Sequence, residues 1–466
     1  MCSLRSARCL GCVLALPIFM FSIGCQTAAP RPHVVLFLAD DLGWQDVGFH
    51  GSEIETPHLD QLARDGARLE QFYVQPVCSP TRSSLMTGRY PIRQGLQVGV
   101  IWPWADFGLP LEERTLPEAL GDVGYRTAIV GKWHLGCHEP AYLPRARGFD
   151  HQYGHYLGAI DYYSHERMGG LDWHRNGRAL REEGYTTNLI GDEAVDVITN
   201  HDASTPLFLY VPFNAPHTPL QAPQEYIDRY AHIEDERRRK YAAMVTCMDV
   251  AIGRIVDALE HRHMRENTLI LFASDNGGPV KNGANNGPWR GGKGSIYEGG
   301  VRVPALAVWD GKIGEGLVVD ELLHIVDWYP TILRLAGASL SESLPLDGRD
   351  AWATIARAAP SPRDEVLHNH SPTESAIRVG QYKLVVNQSA GTHRRRESHA
   401  TIELFDISTD PYEQHDLANQ QPDKVRELQA RLQTYADVAE PAKGMSRGRI
   451  PKDFVTPAVW GESTPH

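Results

Sequence analysis

Three short, almost unbroken apolar runs stand out along the chain, His33 to Ala39 (HVVLFLA), Leu207 to Pro212 (LFLYVP) and Thr268 to Ala273 (TLILFA), and Gly124 to Val130 (GYRTAIV) reads as another short strand. Runs of this length without polar alternation suit strands covered on both faces of a parallel sheet. Between them the period changes. Thr56 to Gly66 reads as a helix, with Thr56 as N-cap, Pro57 in the first turn and Gly66 as the stop. Arg237 to Glu260 places Met244, Met248, Ile252 and Ile255 at three- and four-residue spacings, which predicts a longer helix. Strands alternating with helices predict a doubly wound α/β domain. Ser339 to Pro362 is rich in Ser, Pro and Asp and marks a boundary. Beyond it, Ser375 to Val379, Lys383 to Asn387 and Glu403 to Phe405 look like strands, and Asp423 to Asp437 like an amphipathic helix. The expected division is a main domain over 31–350, a small α+β subdomain over 363–440 and an irregular tail over 441–466.

Composition narrows the class. The chain has 466 residues, 42% of them hydrophobic, and a net charge of −12. No global positive field is present to recruit a polyanion, so a nucleic-acid role is not expected. Arg5 and Arg8 precede an apolar run from Cys9 to Ile23, the layout of an export signal over 1–24. Ser22-Ile23-Gly24-Cys25 resembles a degenerate bacterial lipobox, which makes Cys25 a candidate lipid anchor; plain cleavage and a retained anchor are the alternatives. The expectation is an exported periplasmic or cell-envelope lipoprotein. Four of the seven cysteines lie in this segment. The three left, Cys78, Cys137 and Cys247, make no disulfide framework. Cys137 and Cys247 read as inert core thiols, with a bridge between them left open, and Cys78 is free for chemistry.

Open α/β sheets place ligands at the carboxyl ends of their strands. Two such ends are acidic here, Asp40-Asp41 and Asp275-Asn276. Either pair alone would pass for a strand-end turn or helix cap. Together they offer three carboxylates and an amide oxygen, hard ligands suited to Ca²⁺ or Mg²⁺. Lys132 and His134 follow another strand within Gly131-Lys132-Trp133-His134-Leu135-Gly136, and His217 follows the run ending at Pro212. Lys293 sits in the Gly-rich stretch Arg290-Gly291-Gly292-Lys293-Gly294, whose glycines suit either a flexible loop or close backbone approach to an anion. Cys78-Ser79-Pro80-Thr81-Arg82 carries a thiol, a proline two residues on and an arginine four residues on.

That last spacing resembles the signature that marks a cysteine for oxidation to Cα-formylglycine in the type I sulfatases. LADDLGWQDVGFHG, TPHLDQLA, CSPTRSSLMTGRYPIRQGLQ, GYRTAIVGKWHLG, RGFDHQYGHYLGAIDYYSHE, the SDNGG run, YEGGVRVP and ELFDISTDPYEQHDL extend the resemblance over about His33 to Leu417. The chain is similar to the arylsulfatase B, or N-acetylgalactosamine-4-sulfatase, branch. The resemblance implies an alkaline-phosphatase-like mixed, mostly parallel sheet flanked by helices, with a smaller C-terminal α+β subdomain. It implies a sulfuric ester hydrolase acting on carbohydrate sulfates, and a formylglycine-generating enzyme as maturation partner. Asp40, Asp41, Asp275 and Asn276 would hold Ca²⁺, with the modified Cys78 completing the shell. One hydroxyl of the aldehyde hydrate would attack sulfur and the other would later expel sulfate. Arg82 would hold the hydrate, at the start of a helix beginning near Pro80. Lys132 and Lys293 would clamp sulfate oxygens, His134 would take the proton from the second hydroxyl, and His217, with Lys293, would protonate the departing sugar oxygen.

Two segments depart from that branch. Gln97 to Gly108 lacks cysteines its relatives often carry, and Pro372 to Arg396 is shortened; both are expected at the substrate cleft. Trp102, Trp104, Tyr162, Tyr163 and His165 are candidate sugar-stacking groups, with the protein core as the competing place for each. Arg-rich His393 to Arg396 could meet an acidic glycan or simply be a solvated loop. The rival readings are a phosphodiesterase or phosphonate hydrolase of the same superfamily, and a catalytically silent glycan-binding lipoprotein.

Overall fold

The run His33–Ala39 forms the middle of a ten-stranded sheet. In this computed structural model the described residues are 31–369, 374–388, 400–443 and 450–462. The expected export segment 1–24, Cys25 and His393 to Arg396 lie outside them. The strand order is Leu317–Val319, Ala67–Leu69, Ala305–Val308, Thr268–Ser274, His33–Ala39, Leu207–Pro212, Arg126–Lys132, His151–His155, His174–Arg175 and Arg178–Ala179. From Thr268–Ser274 to His151–His155 all pairings are parallel, and the neighbours outside them on either side are antiparallel. The expected mixed, mostly parallel sheet is therefore present.

The absence of alternation in the central runs has a direct cause. Val35, Phe37 and Ala39 face one apolar cluster, while Val34, Leu36 and Leu38 face another. Helices Pro57–Asp65, Thr186–Thr199 and Glu236–His261 cover the first face. Helices Cys78–Thr87, Leu116–Gly121 and Trp328–Leu335 cover the second. Both faces exclude water, so both residue parities must be apolar.

Some local expectations shift. The strand read at Gly124 to Val130 runs from Arg126 to Lys132, because Gly124 takes a left-handed φ of 83° in the turn before it. The helix expected near Pro80 starts at Cys78. Thr56 takes the expected N-cap position but makes no side-chain cap hydrogen bond: its hydroxyl donates to Asp60 and accepts from the Gly48 amide. The Asp249 carboxylate, from the long helix, instead accepts from the amides of His58 and Leu59. Cys78, Cys137 and Cys247 are all free thiols, so no bridge joins the last two.

Glu365–Asn369, Ser375–Val379, Tyr382–Gln388 and Ala400–Asp406 form a second, antiparallel sheet, backed by helix Pro422–Ala436 through Leu428 and Leu432. A buried ion cluster joins this sheet to the short helix Glu298–Val301. Lys383 Nζ lies 2.9 Å from a Glu298 oxygen and 2.8 Å from a Glu413 oxygen, and all three side chains are shielded from water. Tyr73 donates its hydroxyl to the other Glu298 oxygen at 2.6 Å. Burial alone would raise Glu298, but Lys383 and the nearby Arg302 and Arg378 outweigh it and hold the carboxyl down at about 2.

Two predictions follow from this packing. Lys383→Met leaves two carboxylates buried without their cation, and the loss is expected to be about 3–5 kcal/mol in urea unfolding. Acid should also destabilise the fold well above the carboxylate range. Burial lowers His33 and His174 to about 4 and His368 to about 3, from 6.5. The unfolded chain then binds more protons than the folded one, so stability present above pH 6.5 is lost as pH falls towards 4. The His33 part is specific, because His33 Nδ1 must stay bare to accept the Leu207 amide at 3.1 Å. The urea midpoint is expected to drop across this window, and less so in His33→Asn.

Candidate active site

The parallel register sets Ala39 beside Ser274 and Leu38 beside Pro212, so the chain segments leaving three central strands emerge together. Asp40, Asp41, Asp275 and Asn276 are all buried at this edge. Asp41 has a left-handed φ of 72°, a conformation that costs energy unless its surroundings impose it. They do: Tyr241 donates to the Asp41 carbonyl at 2.9 Å, and the Ser274 hydroxyl accepts from the Leu42 amide at 2.9 Å. Gly277 follows, and a Cβ there would stand 1.9 Å from the Gly299 carbonyl oxygen, so the turn after Asn276 has no room for a side chain.

Helix Cys78–Thr87 points its first turn at these carboxylates. Cys78 Sγ lies 3.4 Å from Asp40 Oδ1 and 3.7 Å from Lys293 Nζ. One ligand atom from each of Asp40, Asp41, Cys78 and His217 falls within 4.8 Å of the others. Ser79 fastens the helix start by donating to the His134 carbonyl at 3.0 Å and accepting from the Ile101 amide at 3.1 Å. Arg82, one turn on, gives Nε and a terminal nitrogen to Asp275 Oδ2 at 3.1 and 2.8 Å, and another to the Lys132 carbonyl at 3.0 Å. Its guanidinium thus ties the helix to two strand ends.

Cations interleave with the acids. Lys132 Nζ donates to Asp40 Oδ2 at 2.5 Å and Lys293 Nζ to Asp41 Oδ2 at 2.7 Å. Burial raises Asp40 to about 7, and the neighbouring Asp275 and Asp41 add to the rise while Lys132 opposes it. Burial would raise Asp41 too, but Lys293 and His217 outweigh it and hold it below the ordinary carboxylate range. Burial, then Asp275, pushes the Cys78 thiol far up, so an unmodified Cys78 is a protonated thiol and a poor nucleophile.

The two histidines are neutral for stated reasons. Burial, then Lys132 and Arg82, drives His134 well below its usual value. Its Nε2 lies 3.2 Å from the Ile101 carbonyl, an acceptor only, so Nε2 carries the hydrogen and Nδ1 is bare. Nδ1 is buried and has no hydrogen-bond partner among the described residues. Gly158 makes room for this ring, since a Cβ there would stand 2.5 Å from it. Burial, then Lys293, lowers His217 to about 3, against the pull of Asp41. Its Nδ1 faces the Thr218 carbonyl at 2.7 Å and its Nε2 faces Asp41 at 3.5 Å. Tyr162 holds the loop by donating to the Asn214 and His217 carbonyls at 2.6 and 2.8 Å.

The donor set fits a hard divalent cation. Three carboxylates share one buried pocket, and the buried Oδ1 of Asn276 has no partner among the described residues while its Nδ2 donates to Asp41 at 2.8 Å. A cavity of about 320 Å³ opens over the cluster, with Cys78, His134, His217, Lys293, Ile101 and Trp102 in its walls. Gly99 to Pro103 line it, as expected for Gln97 to Gly108. Of the departing segment Pro372 to Arg396, residues 372–373 and 389–396 lie outside the described residues.

The ten site residues read from the sequence therefore gather at one sheet edge. The aromatic candidates divide. Trp102 lines the cavity and stacks on Trp104 with centroids 5.3 Å apart. Tyr162 and His165 are buried in the core, stacked on Tyr185 and Trp173, and are not sugar platforms. Tyr163 is 46% exposed but outside the cavity wall, because Asp161 accepts the Tyr163 and Ser164 amides and turns the chain away. Sequence reasoning missed Ser79, Gly158, Tyr162 as a backbone clamp, Tyr241 and Arg167. The first three lie within quoted motifs, but nothing in their spacing separates a brace from a packing residue.

Comparison with known proteins agrees with this geometry. A family model described as Sulfatase matches residues 32–338, and one described as N-sulphoglucosamine sulphohydrolase, C-terminal, matches 291–438. Arylsulfatase J of Mus musculus is 38% identical, covering 92% of this chain and 80% of its own length. N-acetylgalactosamine-6-sulfatase of Homo sapiens is 34% identical, covering 78% and 72%. The crystal structure of Ps i-CgsB superposes with a TM-score of 0.82 at 34% identity, over 89% of this chain and 95% of that one. By the extent of these matches and the site they coincide with, the chain belongs to the sulfatase family.

Proposed function

We propose that this protein hydrolyses sulfate monoesters of a carbohydrate, with Cys78 converted to formylglycine and with Ca²⁺ held by Asp40, Asp41, Asp275 and Asn276. The observation that carries the reading is the placement of Cys78. Its sulfur sits between Asp40 and Lys293, at the first turn of a buried helix, in the floor of the cavity.

Formylglycine supplies, as its hydrate, two hydroxyls on one carbon. Ca²⁺ supplies polarisation of the ester's sulfate group. The chain's own residues do the rest. Lys293 in the cavity wall and Lys132, buried on Asp40 beside Cys78, bring two fixed positive charges to this place, where they would hold sulfate oxygens. The amides of the first turn after Val77 favour negative charge at the same place. His134 offers a bare Nδ1, fixed by the Ile101 carbonyl, to accept a hydroxyl proton. His217 keeps its Nδ1 hydrogen on the Thr218 carbonyl and turns Nε2 inward, where that bare nitrogen would take up a solvent proton as the anionic substrate binds and pass it to the departing sugar oxygen. Burial and Lys293 disfavour its charged form, so the proton taken up would be given up readily.

The proposed substrates are sulfated amino sugars of the N-acetylgalactosamine-4-sulfate kind or related polysaccharide sulfates. Support comes from relatives named as N-acetylgalactosamine-6-sulfatases, and from the structure of Ps i-CgsB in complex with k-i-k-neocarrahexaose, 32% identical with a TM-score of 0.81 over 90% of this chain and 95% of that one. Export through the segment 1–24, lipid attachment at Cys25 and maturation by a formylglycine-generating enzyme belong to the same proposal.

Cys78→Ala is expected to abolish turnover of an aryl sulfate and of sulfated sugars while leaving the urea midpoint near that of the parent. Peptide mass at Cys78 in the active protein is expected to show the aldehyde; retained turnover in the variant, or a purely thiol peptide in active protein, refutes the assignment. Removal of divalent cation with a calcium chelator is expected to suppress activity, and Ca²⁺ to restore it.

A further inference from the structure

The cavity wall holds one cation that the scheme above does not use. Arg167 lies in a small hairpin, Glu166–Arg167 paired with Gly170–Leu171, and its side chain lines the cavity with Lys293, His217 and Cys78. Its Nε is closed off from solvent and has no hydrogen-bond partner among the described residues. No carboxylate there stands within ion-pairing distance of its guanidinium. The nearest opposite charge in its field is Asp172, whose two oxygens are already committed to the amides of Tyr156 and Leu157 at 2.9 and 2.8 Å. Burial lowers the Arg167 pKa, and Asp172 only partly offsets this.

The hairpin is not loose. Trp460 donates its indole N–H to the Arg167 carbonyl at 3.0 Å and its amide to the Leu171 carbonyl at 2.9 Å, and Leu171 donates to the Ala458 carbonyl at 2.9 Å. Arg167 is thus carried on a braced element into the wall of a cavity that already has Lys293, with Lys132 buried on Asp40 beside Cys78, for one sulfate. A planar fork of donors, held partly out of water and unpaired, is suited to a planar or tetrahedral oxyanion.

We infer that Arg167 recognises a second oxyanion on the substrate, a further sulfate ester or a carboxylate, and so selects dianionic over monoanionic sugars. The inference rests on the sulfate-ester reading of the site and narrows its substrate class.

Isothermal titration of Ca²⁺-loaded Cys78→Ala protein, which leaves ligand intact, tests it with three probes: a monosulfated sugar, its disulfated form, and its sulfated form bearing a carboxylate. At least one dianion is expected to bind about 10- to 100-fold more tightly than the monosulfate, and which one does so names the second group. Adding Arg167→Gln should erase that ratio, and Arg167→Lys should keep part of it. A ratio near one in the Cys78→Ala protein, a ratio unchanged by Arg167→Gln, or an equal loss for mono- and dianionic probes overturns the proposal. Aryl monosulfate turnover by protein with Cys78 intact judges the sulfatase reading separately, since the binding ratio needs no turnover.

Discussion

Three carboxylates buried side by side at the ends of two neighbouring strands are the constraint around which this molecule is organised. Unpaired, such a group of charges would be intolerable in a water-excluded pocket. Every nearby element contributes to making it tolerable. Arg82 anchors Asp275, Lys132 meets Asp40, and Lys293 meets Asp41. Each of those cations comes from a different part of the chain: a helix, a strand end and a Gly-rich loop. The charges therefore fix how the three pieces converge.

Precision at the site is stored in backbone as much as in side chains. Asp41 and His134 both adopt left-handed conformations, with φ of 72° and 59°. Such residues persist where packing overdetermines them. Tyr241 and Ser274 do this for Asp41, and the Ile101 carbonyl with the space left by Gly158 does it for the His134 ring. The result is an imidazole whose Nε2 hydrogen is committed and whose Nδ1 is bare.

Much of this was readable from residue order. Central strands announced themselves because burial on both faces removes polar alternation, and acidic residues right after them could only sit at the sheet edge. Cys78 was legible through the spacing of its proline and arginine, and Lys132, His217 and Lys293 through their positions near strand ends or glycines. What stayed hidden was of two kinds. Outlying strands such as Ala67–Leu69 and Leu317–Val319 are too short to show a period. Contacts between distant segments, such as Asp249 capping the helix after Thr56 or Trp460 bracing Arg167, depend on tertiary proximity that local pattern does not encode. The aromatic residues failed for a related reason: Tyr162, Tyr163 and His165 are adjacent in sequence, yet two turn inward and one outward.

The cluster of Lys383, Glu298 and Glu413 carries a wider implication. Arg290, three residues before Lys293, donates to the Glu413 carbonyl at 3.1 Å, and the Glu298 amide donates to a Glu413 oxygen at 2.8 Å. The loop that delivers Lys293 is therefore clamped at both ends by a residue more than a hundred positions downstream. Harmful changes in the C-terminal sheet would masquerade as lesions of the reaction centre, and a catalogue of inactivating variants drawn along the chain would map the scaffold's tension as faithfully as its chemistry.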